Sequence, residues 1–212
     1  ANLRNKNLSI SFDSLISVEP FFEIYSDIHI NKLDKKIIDN LSLEKILANK
    51  EILKKLNSNN KLSYKKKKRW NAGTIESHFS EFNLANGRLA FFNKTFIPGG
   101  IISCEGNSLL TEEYPRLSFQ CFVNIKDKQK FLKKFIPSKK INKDSFNLNI
   151  NGTINLLNKK INFDKISIGK KYIAKEEDLI FFKESFERIL LDESFFNVFK
   201  MNKIKEFFLE VI

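Results

Sequence analysis

The chain has 212 residues, 42% of them hydrophobic and 29% charged, with Lys+Arg 37 against Asp+Glu 25 and a formal charge of +12. The apolar fraction excludes a wholly disordered chain. The 7 Gly and 4 Pro exclude collagen-like and linker-like chains, and the 2 Cys exclude a disulfide framework or a Cys-rich zinc site.

From the N-terminus, residues 8–12 alternate apolar and polar, the pattern of a half-buried strand. After Pro20 a second strand places Phe22, Ile24, Ser26, Ile28 and Ile30 on one face and Glu23, Tyr25, Asp27 and His29 on the other. Between Asp34 and Leu56 the period becomes helical, through Ile37, Ile38, Leu41, Ile46, Leu47, Ile52, Leu53 and Leu56. Asp34 can cap a first helix there, and Ser42 a second. Asn57 to Asn60 reads as a turn or loop, and Leu62 to Trp70 as a strand with a very basic outer face.

Ile75 to Leu84 is a further strand, with a bulge expected near Ser80 because its alternation shifts after Phe79. Asn86-Gly87 is a strong hairpin signal, returning into Arg88–Phe92. Pro98-Gly99-Gly100 turns into a strand over 101–106. The two cleanest strands follow. Leu117, Phe119, Cys121, Val123 and Ile125 share one face, as do Phe146, Leu148, Ile150, Gly152, Ile154 and Leu156. A short helix over 127–135 lies between them, with Phe131, Leu132 and Phe135 on its apolar side. Residues 157–160 turn into a last strand over 161–168. From Lys175 the period is helical again, with Leu179, Phe182, Phe186, Ile189 and Leu190 in one stripe and Glu176, Glu177 and Asp178 suited to its N-terminus. Phe195, Phe196, Val198 and Phe199, then Ile204, Phe207, Phe208 and Val211, mark two shorter helical pieces.

These elements predict an α+β fold. A mainly antiparallel, curved β-meander or groove of eight or nine strands carries a helical insert at 34–56 and C-terminal helices. We expect a sheet domain over 1–173 and a helical cap over 174–212. One sheet face is rich in Phe, Ile and Leu and the other in Asn, Ser, Lys and Glu, as an antiparallel sheet with one solvated face requires.

The basic surplus is mostly Lys, with only five Arg, and is spread along the chain. Lys, Asn, Ile and Phe have A/T-rich codons, so part of the bias fits a GC-poor genome. The one dense run is Lys65, Lys66, Lys67, Lys68 and Arg69. It reads as a solvated strand or loop, as a contact for anionic lipid headgroups, or as a nucleic-acid contact. Scarce Arg disfavours the last. No apolar stretch of about 18 residues is present to cross a membrane as a helix. A first residue of Ala and a strand pattern that starts almost at once suggest a mature product or a piece of a longer chain.

Little points to catalysis. Neither His29 nor His78 has the further ligands that a metal site requires. Glu112-Glu113 suits a turn and Glu176-Glu177-Asp178 a helix N-terminus, and there is no nucleophile elbow, P-loop or dinucleotide fingerprint. We therefore expect no enzyme, no metal and no cofactor. If strands 101–106 and 117–125 form a hairpin, Cys104 and Cys121 either bridge or pack as two small hydrophobes. Tyr114-Pro115-Arg116 reads as a turn or as an edge feature that meets a partner.

The apolar face has two readings: an ordinary core, or a groove for acyl chains. Residues 146–163 (FNLNINGTINLLNKKINF) resemble the repeating unit of the AsmA-like family, in which an alternating strand reaches a Gly, continues and turns at a short Asn-containing hairpin. Residues 82–92 (FNLANGRLAFF) and 101–106 (IISCEG) resemble the same unit. The helical insert and C-terminal helices are not part of that repeat. The resemblance implies a C-terminal segment of a periplasmic lipid carrier, anchored in the inner membrane by an N-terminal part absent here. Its partner would be phospholipid, taken by its acyl chains. The groove candidates are Leu117, Phe119, Val123, Ile125, Phe146, Leu148, Ile150, Ile154 and Leu156. The alternative is a conventional α+β interaction domain that docks on an anionic surface through its Lys-rich strand.

Overall fold

The computed structural model describes residues 1–19, 22–33, 42–65, 75–133, 144–169, 172–192 and 201–211. Its frame is one curved, unclosed sheet of eleven strands whose spatial order equals their order in the chain. The strands are β1 Asn2–Arg4, β2 Leu8–Ser17, β3 Glu23–Leu33, β4 Asn57–Lys65, β5 Ser77–Ala85, β6 Arg88–Ile97, β7 Gly100–Leu109, β8 Arg116–Ile125, β9 Phe146–Asn155, β10 Ile161–Ile168 and β11 Tyr172–Ile173. At about 4.8 Å per strand, the ten interstrand steps span roughly 48 Å of contour.

Neighbours pair antiparallel except β3 and β4, which run parallel. A parallel pair needs a crossover, because the chain must return to the end where the first strand began. That crossover holds helices α1 Leu43–Ala48 and α2 Lys50–Lys55. The Ser42 hydroxyl caps α1 by accepting from the Lys45 N–H at 3.3 Å. Asn49, outside helical geometry at φ −93° and ψ 51°, separates the two helices. The predicted cap at Asp34 lies outside the described residues.

The tight turns follow local chemistry. Asn86 (φ 50°) and Gly87 (φ 77°) make a two-residue β5–β6 hairpin, the left-handed pair that matches strand twist. Gly99 has φ 84° after Pro98, as the third residue of a Pro-Gly turn requires.

Three sequence readings need correction. Asn57–Asn60 is not a loop: these residues open β4 and pair with Glu23–Ser26 of β3 and with β5. Asn and Ser disfavour isolated strands, but pairing on both sides overrides propensity. Second, β5 has no bulge at Ser80; its register with β4 and β6 is unbroken. The apparent shift arises because Phe79 stands on the polar face while His78 and Ser80 stand on the apolar one. The bulges lie elsewhere, between Ser9 and Ile10 and between Phe163 and Lys165. Third, the short edge strands β1 and β11 bring the count above the eight or nine expected, being too short to leave a period.

The remaining helices among the described residues are α3 Lys128–Leu132, α4 Glu176–Leu190 and α5 Met201–Val211. Asp127 caps α3, its carboxylate accepting the Lys130 N–H at 2.9 Å. At the start of α4, Asp178 accepts from the Lys175 N–H and from the Tyr172 hydroxyl, which holds its carboxyl below the usual range. Along β10, Glu187 of α4 accepts the Ile161 N–H at 2.9 Å and pairs with Lys160 at 2.8 Å. A helix thereby covers part of an exposed strand edge.

Candidate functional site

Register converts the alternation of single strands into rows that cross the sheet. One row on the apolar face runs Phe12, Ile28, Leu62, Ser80, Asn93, Cys104, Cys121, Ile150, Ile166 from β2 to β10. The next runs Ile10, Ile30, Tyr64, His78, Thr95, Ile102, Val123, Leu148, Ile168. Each step brings Cβ atoms to about 5 Å, so the face forms a continuous surface.

Helices stand on this face at three places. Leu47 of α1 and Leu53 of α2 bury Leu110, Leu117 and Leu156. Phe131 and Leu132 of α3 bury Ile97 and Ile125, with Val123, Phe146 and Ile204 of α5 packed alongside. Leu191, just past α4, clusters with Ile154 and Ile161, joined by Phe119, Phe163 and Phe186. A run of edge-to-face rings links Phe119, Phe163, Phe186 and Phe207 across β8, β10, α4 and α5. The Ser185 hydroxyl and the Arg188 guanidinium hold Glu210, tying α5 to α4 and keeping the Glu210 carboxyl below its usual range.

The nine predicted groove residues all belong to this apolar surface, but not to one environment. Leu117, Ile125, Ile154 and Leu156 are buried under helices, and Phe119, Val123 and Phe146 pack against those clusters. Leu148 and Ile150 remain half-buried outside them. The predicted groove residues did not include Ile10, Phe12, Ile28, Ile30 and Leu62 on β2–β4, which are also half-buried and belong to none of the three clusters. Their signal was present in the alternation of 8–12 and 22–30. Beyond them, Ile16 on the same face is 60% exposed.

Within the two rows, β5 and β6 interrupt the apolar run with a two-by-two block: His78 and Ser80 facing Thr95 and Asn93. His78 Nδ1 lies 2.8 Å from Thr95 Oγ1, and Nε2 lies 2.6 Å from Ser80 Oγ. Ser80 is 2% exposed. Burial pushes the His78 imidazole down from its ordinary pKa, so it is neutral near pH 7. Sequence reasoning missed this block, because only strand register brings its four residues together.

Cys104 and Cys121 face each other across β7 and β8 and form a disulfide, with S–S 2.07 Å and Cα–Cα 4.1 Å. Of the Lys-rich run, Lys65 ends β4 and is exposed, while Lys66, Lys67, Lys68 and Arg69 lie outside the described residues. His29 stands on the polar face, hydrogen-bonded to the Ser63 hydroxyl and 3.8 Å from the Asp27 carboxylate. A cavity of about 760 Å³ lies beside it, near the ends of β3 and β4, lined by Ser11, Asn31, Ser63 and Lys65 among others; it sits mainly on the face opposite the two rows. Among the described residues no group of three His, Cys, Asp or Glu side chains can hold a metal ion, and no helix is long and apolar enough to cross a membrane. No family model, no curated protein and no solved structure matches the chain.

Proposed function

We propose that the chain is a non-catalytic, lipid-binding segment that shields the acyl chains of phospholipid against the apolar face of its sheet. One observation carries this reading: two side-chain rows cross nine strands, and on β2–β4 and β9 their apolar members lie half-buried outside the helix-covered clusters. Contiguous apolar surface of this kind characterises binding surfaces rather than closed cores. Each methylene moved from water onto it contributes roughly 0.8 kcal/mol. The rows run across the strands, so a chain lying along them meets apolar surface at successive strands of β2–β4 and again of β7–β10.

The same reading places the segment in the cell envelope, in a periplasmic setting, as an AsmA-like carrier that contributes to phospholipid transport or outer-membrane assembly. The strand-Gly-strand-turn unit over 146–163 and the strand-turn-strand unit over 82–92 support that affinity, and the Cys104–Cys121 disulfide suits an oxidising compartment.

The test is charge insertion at half-buried positions. Ile28→Glu and Ile150→Glu should each leave the circular dichroism spectrum and a cooperative melt in place and lower bound phospholipid at least severalfold. Unfolding of both variants would mean an ordinary core, and full lipid binding by both would mean that lipid sits elsewhere.

A further inference from the structure

We propose that the polar block formed by His78, Ser80, Asn93 and Thr95 is a subsite for the ester carbonyls of an acyl lipid, a proposal that rests on the lipid-binding reading above. The first observation is placement. The block interrupts both apolar rows at the same two strands, with Phe12, Ile28, Leu62, Ile10 and Ile30 on one side and Ile102, Val123, Leu148 and Ile150 on the other. A pure hydrocarbon lying along the rows would desolvate these polar groups without return. A molecule with apolar chains and a hydrogen-bonding group between them matches the order apolar, polar, apolar.

The second observation is the count of protons. Neutral imidazole carries one N–H and one lone pair, and its two nitrogens face the hydroxyls of Thr95 and Ser80. If Nδ1 carries the proton, it donates to Thr95 Oγ1 and the Ser80 hydroxyl donates to Nε2, leaving the Thr95 O–H free. If Nε2 carries it, the roles exchange and the Ser80 O–H is left. The spare hydroxyl can reach a ligand where it is that of Thr95, which is half-buried, and not where it is that of Ser80, which is 2% exposed. The Asn93 amide, beside Ser80 in register, adds N–H donors. The block therefore offers donors to an uncharged acceptor and no formal positive charge to an anion. An ester carbonyl fits that offer, and an ether oxygen fits it poorly.

The experiment presents the full chain with vesicles holding equal amounts of a diacyl phosphatidylethanolamine and its dialkyl-ether analogue with the same chains. The complex is recovered and both lipids are quantified by mass spectrometry. The proposal expects about fivefold enrichment of the ester lipid, the worth of one net hydrogen bond. Thr95→Val with Asn93→Leu should bring the two lipids to equal recovery, and His78→Gln, a milder variant should the pair fail to fold, should narrow the enrichment. Equal recovery of both lipids by the unmodified protein overturns the subsite and leaves the apolar-face reading standing. Recovery of neither overturns both.

Discussion

The ring of Phe119 on β8 lies against Gly152 on β9, so that a Cβ built on Gly152 would come 3.0 Å from Phe119 Cζ and 2.4 Å from the Asn162 carbonyl oxygen. The relation repeats one hairpin away, where a Cβ on Gly106 would come 2.7 Å from Phe91. The row through these positions alternates Phe91, Gly106, Phe119, Gly152 and Phe163. A glycine in a strand weakens it unless something uses the space; here a neighbouring ring does.

Gly152→Val should therefore be strongly destabilising, by about 2–3 kcal/mol, because a backbone carbonyl cannot rotate out of the way as a flexible side chain can. Urea unfolding followed by circular dichroism measures this. A change within about 0.5 kcal/mol of the parent would mean that the ring-over-glycine packing is not tight.

The disulfide closes a short loop, with a sequence separation of 17 between Cys104 and Cys121. In the chain-entropy account a loop of that size is worth about 3 kcal/mol. The double variant Cys104→Ala/Cys121→Ala should lower the urea midpoint accordingly while keeping the strand signal. An unchanged midpoint in oxidising buffer would show that the bridge adds nothing to stability.

His78 makes stability depend on pH with a definite sign. Its folded pKa lies below the unfolded one because burial disfavours the imidazolium. The unfolded chain then takes up a proton that the fold resists, so this contribution is present above the unfolded value, about 6.5, and falls away as pH drops through the folded value. Urea midpoints should decline from about pH 7 to about pH 5, and His78→Gln should flatten that decline. An identical slope in the variant would assign the effect to other groups.

Glu210 works in the same direction at lower pH. Its carboxyl is held down by the Ser185 hydroxyl first and by Arg188 second, so α5 docking is favoured above the ordinary carboxylate value of about 4.3 and lost as pH falls through the depressed one. Glu210→Gln should loosen α5 at neutral pH, seen as faster amide exchange over 201–211, with the β8–β9 amides unchanged. Equal protection of α5 in both proteins would show that the aromatic contacts hold it without the carboxylate.

These features differ in how far they could be read in advance. The alternation on β8 and β9, the Asn86-Gly87 turn and the Ser42 cap are local, so single segments carry their signal. The Asn57–Asn60 strand was not legible because its residues disfavour strands and are held by β3 and β5, segments distant in sequence. The disulfide could be stated only as one of two alternatives, since the pairing depends on the β7–β8 register. The same limit hid the His78, Ser80, Asn93 and Thr95 block. Of the apolar candidates, their common face was legible, but which would lie under helices was not: the contacts of Leu47, Phe131 and Phe186 with Leu117, Ile125 and Ile154 are tertiary.

Whether the apolar face holds acyl chains is decided by native mass spectrometry of the chain purified from a bacterial envelope, followed by extraction and identification of bound lipid. Phospholipid should be present at near-stoichiometric level and be displaced in the Ile28→Glu and Ile150→Glu variants. A stable, lipid-free monomer would contradict this and leave the face as the core of an interaction domain.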